Sequence, residues 1–86
     1  MWILRTDSPA SDPLTFRVQP GATKTIGRAP RADFIVDRAL VSRVHCRLEA
    51  AGDALEVIDL SSTNGTYVND KRVEKQELVD NDFIKF

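Results

Sequence analysis

A single cysteine, Cys46, cannot close a disulfide within the chain, and with a single histidine, His45, it supplies too few soft ligands for a structural zinc site. The chain therefore fits a reducing, intracellular setting. No apolar run approaches the roughly 20 residues that span a bilayer, and Met1-Trp2-Ile3-Leu4-Arg5 is too short for the apolar part of a secretory leader. No membrane contact is expected. Walker-type glycine loops, carboxylates at metal-ligating spacing and His–Cys clusters are also missing, so no cofactor, metal or catalytic residue is assigned.

An excess of one charge is lacking as well. Twelve Lys and Arg against thirteen Asp and Glu leave a net charge of −1 over 86 residues, which argues against a broad face gripping a nucleic-acid backbone. No direct nucleic-acid binding is expected. The balance conceals an uneven distribution: Arg28, Arg31, Arg38, Arg43 and Arg47 share one span whose only acids are Asp33 and Asp37, and the chain turns acidic from Glu49 on. A compact cationic patch on a neutral body suits a small, highly charged ligand. With 42% hydrophobic and 29% charged residues, the 86-residue chain reads as one soluble domain with a modest core.

Helical periodicity is nearly absent, and short alternating runs are cut every several residues by Pro, Gly, Asn or Asp, the pattern of an all-β domain. Trp2 and Leu4 open a first strand, and Asp7 to Pro13 is a loop. Leu14, Phe16 and Val18 share one face of a strand that turns at Pro20-Gly21 into Thr23 to Ile26. Phe34-Ile35-Val36 is a short strand. In the strand Val44 to Leu48, Val44, Cys46 and Leu48 are expected inward, with His45 and Arg47 opposite. Leu55, Val57 and Asp59 alternate with Glu56 and Ile58. Thr66-Tyr67-Val68 pairs through Asn69-Asp70 with Lys71-Arg72-Val73, and Glu74 to Glu77 reads as a solvated connector. Asp80-Asn81-Asp82 turns into Phe83 to Phe86, a last strand whose far edge has no evident partner. The six aromatics fit core positions better than a stacking platform for bases.

Three short motifs carry polar chemistry. Gly27-Arg28 places a guanidinium, whose fork matches phosphate oxygens, at a strand end; alone, Arg28 reads more readily as a surface charge paired with Asp33 or Asp37. Ser42-Arg43-Val44-His45 adds a hydroxyl and a second guanidinium. Activation of Ser42 by His45 is rejected, because no nucleophile elbow surrounds the serine and no third residue orients the imidazole; a histidine bonding two backbone groups and bracing a loop is expected instead. Ser61-Ser62-Thr63-Asn64-Gly65-Thr66 is a loop of small hydrogen-bonding residues, with Gly65 suited to positive φ. Leu40 and Val41 precede Ser42 and are placed to touch a ligand residue beside the anion.

In content, order and spacing these motifs resemble the forkhead-associated (FHA) domain family, over roughly residues 23 to 86. The resemblance implies an FHA-type β-sandwich of two twisted, mainly antiparallel sheets, with loops at one end that bind phosphothreonine in an extended peptide. On that pattern Arg28 and Ser42 contact the phosphate and Arg43 assists. Thr63 supports the pocket for the threonine side chain, and Asn64 bonds the peptide backbone. Gly27, His45 and Gly65 are scaffold residues of the site. Partners are then phosphothreonine-containing proteins or peptides, and the chain is not an enzyme.

Family members normally continue past the strand at 83 to 86, so residues 1–86 are expected to be a single FHA domain cut from a larger protein and lacking the final strand. Asn81 stands where a Gly often sits, a position of positive φ that Asn tolerates. An open edge left by the missing strand makes a homodimer conceivable, and the alternative function is a scaffold or oligomerisation module indifferent to phosphate. The opening Met1-Trp2-Ile3-Leu4 is similar to the amino terminus of nibrin-like DNA-repair proteins. That likeness implies a nuclear setting, DNA-damage signalling and phosphorylated repair adaptors; otherwise a cytoplasmic location is expected.

Overall fold

In a computed structural model, which describes residues 1–6 and 14–86, the chain folds as two five-stranded sheets facing one another. The strands are β1 (Trp2–Thr6), β2 (Thr15–Val18), β3 (Thr23–Gly27), β4 (Phe34–Ile35), β5 (Cys46–Ala51), β6 (Ala54–Asp59), β7 (Thr66–Val68), β8 (Lys71–Val73), β9 (Lys75–Leu78) and β10 (Phe83–Lys85). One sheet has the order β2-β1-β10-β7-β8 and the other β4-β3-β5-β6-β9. Pairing is antiparallel except for β1 with β10 and β3 with β4. The expected loop from Asp7 to Pro13 lies outside the described residues.

Period-2 alternation drives this arrangement. Leu4, Val18, Ile26, Leu48, Val57 and Ile84 are all 0% exposed between the sheets, and each such side chain contributes about 1.5–3 kcal/mol when taken out of water. Phe16 anchors one region of the core, its ring 5.0 Å from that of Phe34 and 6.5 Å from that of Phe86. The β7–β8 hairpin closes through Asn69 and Asp70, at φ 49° and 70°, the positive values that a two-residue turn needs to match strand twist. Asn81 has φ 69°, as its expected substitution for Gly requires.

Four expectations about the strands are corrected. The solvated connector expected from Glu74 to Glu77 is instead taken up from Lys75 on by β9, paired with β6 from Leu55↔Leu78 to Ile58↔Lys75. As an edge strand, β9 turns its charges to water and buries Leu78. The phase at residues 44–46 is shifted: Val44 is 51% exposed and His45 is 0% exposed, because the regular strand begins only at Cys46. The last strand, β10, has no open edge, being flanked by β1 and β7. Not every aromatic is core, since Phe83 is 44% exposed and Tyr67 half-buried on the outer face of its sheet.

Candidate functional site

Three connections meet at one end of the sandwich: residues 28–33, residues 36–45 and residues 60–65. Gly27 brings the first two together. Its position lets the chain at Arg43 approach so closely that a Cβ on residue 27 would lie 2.1 Å from the Arg43 carbonyl oxygen. The Arg28 and Ala29 amides then donate to the carbonyls of Ser42 and Arg43, each at 3.0 Å. Arg28 and Arg43 thereby share an open cleft with Ala29, Pro30 and Asp37.

Neither arginine forms an ion pair among the described residues, so the bland account of Arg28 as half of a surface pair does not hold. Asp33 is committed elsewhere. Its carboxylate accepts the Thr25 amide at 2.9 Å and the Thr25 hydroxyl at 3.2 Å, and these bonds, the amide first, hold its carboxyl below the usual range.

The third connection is tied to the second by the Leu60 amide, which donates to the His45 carbonyl at 3.0 Å, and by three bonds made through side chains. The Thr63 amide donates to the Ser42 hydroxyl oxygen at 3.1 Å. Because that oxygen acts as acceptor here, its own proton remains available to an anion. The Asn64 side-chain amide donates to the Leu40 carbonyl at 3.0 Å, which orients the group and leaves its oxygen to take a peptide N–H. His45 makes the deepest tie: the Ser42 amide donates to Nδ1 at 3.0 Å, and Nε2 lies 2.8 Å from the Gly65 carbonyl oxygen. An amide can only donate and a carbonyl only accept, so the imidazole that satisfies both is neutral with its proton on Nε2. His45 thus braces two loops through their backbones and does not activate the Ser42 hydroxyl.

Beneath this loop sits a carboxylate that the sequence motifs did not single out. Asp59 accepts the Ser62 hydroxyl at 2.5 Å, the Thr66 hydroxyl at 2.7 Å and the Ser62 amide at 3.1 Å. Ser62 Oγ in turn accepts the Gly65 amide at 3.1 Å. Burial works to raise the Asp59 pKa, but the combined hydrogen bonds from Ser62 and Thr66 outweigh it and hold the carboxyl below its ordinary value. The available signal was an acid on the apolar phase of β6, after Leu55 and Val57, running into Ser-Ser-Thr. Arg72 was also missed: it covers Gly65, where a Cβ would lie 2.7 Å from Nε.

The sequence matches the FHA domain family over residues 24–86. The chain belongs to that family. Among curated relatives, the glycogen accumulation regulator GarA of Mycolicibacterium smegmatis is 36% identical over 63 residues, covering 73% of this chain and 40% of GarA. The oxoglutarate dehydrogenase inhibitor of Corynebacterium jeikeium is 40% identical over 63 residues, covering 73% of this chain and 44% of the inhibitor. The FHA domain here thus spans about two fifths of the length of these relatives, at 40% and 44%. A structure solved in a study of phosphothreonine-dependent FHA domain interactions superposes with a TM-score of 0.76 at 33% identity, covering 95% of this chain and 81% of that one.

These relatives are bacterial regulators, and the likeness to nibrin-like repair proteins gains no support from them. It rested on Met1 to Leu4, which lie outside the FHA match at 24–86. The DNA-damage and nuclear settings that depended on it are likewise unsupported.

Within the FHA domain, Arg28, Ser42, Arg43, Thr63 and Asn64 stand at the ends of the three joined loops, and Gly27, His45 and Gly65 shape them. Leu40 is 61% exposed at the rim, whereas Val41 is 2% exposed, so its side chain belongs to the core and cannot meet a ligand. Burial pushes the Cys46 thiol up to about 12, which leaves it protonated and unreactive beside His45. Among the described residues no group of three His, Cys, Asp or Glu could hold a metal, and no helix is long and apolar enough to cross a membrane.

Proposed function

We propose that this FHA domain is a phosphothreonine-dependent peptide-binding module serving phosphorylation-regulated protein interactions. The observation that carries the reading is the Thr63–Ser42 bond. It sets the loop that would receive threonine and peptide backbone directly against the hydroxyl that, together with the Arg28 and Arg43 guanidinium groups, would receive phosphate. A phosphoryl group brings about −1.5 to −2 charges and three acceptor oxygens, and each charge-assisted hydrogen bond to it contributes about 1.5–3 kcal/mol. Unmodified threonine offers that cluster almost nothing. Arg28 and Ser42 take the phosphate with help from Arg43, Thr63 lines the threonine pocket, and Asn64 Oδ1 accepts a peptide amide.

The domain binds and does not catalyse, works inside the cell, and is one module of a longer regulatory protein, as the partial coverage of its relatives suggests. Calorimetric titration with matched phosphothreonine, phosphoserine and unmodified peptides tests the reading. Selective binding of the phosphothreonine peptide is expected, lost in Arg28→Ala and Asn64→Ala. Equal binding of phosphorylated and unmodified peptides would favour a phosphate-independent scaffold instead.

A further inference from the structure

The two sheets differ in charge in a way the phosphothreonine site does not use. The strands of the β2-β1-β10-β7-β8 sheet contain the cations Arg5, Arg17, Lys71, Arg72 and Lys85 and no aspartate or glutamate. The opposite sheet carries Lys24, Arg47 and Lys75 against Glu49, Glu56, Asp59 and Glu77, and the ion pairs Arg47–Glu49 and Lys75–Glu56 lie there.

In the acid-free sheet, alternation buries Leu4, Phe16, Val73 and Ile84, and so turns Arg5, Arg17, Arg72 and Lys85 outward. The register sets them close together. Arg5 is opposite Phe83, while Lys85 is opposite Tyr67, itself opposite Arg72. Phe83 adds an apolar centre at 44% exposure. Neighbouring like charges disfavour the folded sheet, so folding alone gives no reason for an all-cationic face on a chain of net charge −1.

We propose that the outer face of this sheet is a separate interaction surface that docks an acidic, Asp- and Glu-rich protein segment across Arg5, Lys85 and Arg72, with Phe83 as its apolar centre. Charge complementarity selects the partner, and two features favour protein over nucleic acid. Lys85 Nζ lies 6.0 Å from the Tyr67 ring centroid and the Tyr67 hydroxyl donates to the Asn64 carbonyl at 3.4 Å, so the ring is engaged at its face and its tip and is no open platform for a base. At the far rim, Asp80 and Asp82 are fixed by bonds from the Ile3 amide and the Asn69 side chain. With Asp70 in the adjoining turn, they obstruct a polyphosphate strand, which needs cations along its length.

The test is a titration of the isotope-labelled 86-residue chain with a polyglutamate peptide, a single-stranded oligonucleotide of equal charge, and phosphatidylserine vesicles, reading amide chemical shifts. Polyglutamate is expected to shift residues of β1, β7, β8 and β10. Its affinity should fall about tenfold in the Lys85→Gln/Arg72→Gln variant and again with added salt, while Arg28→Ala leaves it unchanged. Absence of binding, shifts confined to the loops of Arg28 and Arg43, or tighter binding of the oligonucleotide or the vesicles overturns the proposal.

Discussion

From a fully buried position, His45 holds Gly65 through a bond of 2.8 Å between Nε2 and the Gly65 carbonyl oxygen. With its other nitrogen on the Ser42 amide, one side chain serves both halves of the site. His45→Ala strands both backbone groups, and each orphaned partner costs about 1–3 kcal/mol. His45→Phe keeps the volume but not the bonds, and is expected to lose comparable stability by denaturant titration. Both variants should also weaken phosphopeptide binding, although His45 touches no ligand.

Gly27→Ala separates architecture from contact. A methyl group 2.1 Å from the Arg43 carbonyl oxygen must push the second loop away, at about 1–3 kcal/mol for a forced overpacking. Thermal unfolding should register that loss, and phosphopeptide affinity should fall with it. Arg28→Lys, by contrast, should leave the melting temperature unchanged while weakening the phosphopeptide about tenfold, because an ammonium lacks the guanidinium fork.

At Gly65 two costs can be told apart. The residue has φ +91° and lies under Arg72, so Gly65→Ala suffers both backbone strain of about 1–2 kcal/mol and a contact with a side chain that can move. In an Arg72→Ala background the contact disappears and the strain stays. A double-mutant cycle by chemical denaturation should therefore show that most of the destabilisation persists.

Acid should loosen the loop through Asp59. Hydrogen bonds from Ser62 and Thr66 hold its carboxyl below the ordinary aspartate range in the folded chain, so its stabilising effect is complete above the unfolded chain's ordinary value and is lost as pH falls through the lowered folded one. Asp59→Asn removes the effect at every pH. The stability gap between wild type and variant should be constant from neutrality to about pH 5 and shrink in more acid solution, as urea titrations across that range would measure.

Much of this was readable from residue order. Leu14-Phe16-Val18 and Leu55-Val57 announced half-buried strands because side chains alternate across a sheet, and Gly27-Arg28, Ser42-His45 and Asn64-Gly65 located the three loops. β9 escaped notice because Lys75 and Glu77 spend its outward positions on charge, and backbone pairing with β6 leaves no trace in side-chain chemistry. The phase error at Val44 has a related origin: alternation was extended one turn too far into a loop whose course is set by His45. Asp59 and Arg72 were out of reach because their roles depend on where Ser62, Thr66 and Gly65 fold back against them. The charge asymmetry between the sheets likewise appears only when strands distant in sequence are sorted by partner.

The bonds that close the site join residues far apart along the chain, with separations of 21 for Ser42–Thr63, 24 for Leu40–Asn64 and 20 for His45–Gly65. Contacts of that span form only after large loops have closed, so an unfolded chain holds no partial version of the receptor. Any occupant of the site therefore discriminates completely between native and denatured molecules, and its whole binding free energy enters the folding equilibrium. At a ligand concentration one hundred times its Kd that contribution is about 2.7 kcal/mol, enough, on the proposed phosphopeptide-binding function, to make the folded population of this small domain answer to the phosphorylation state of the peptide it meets.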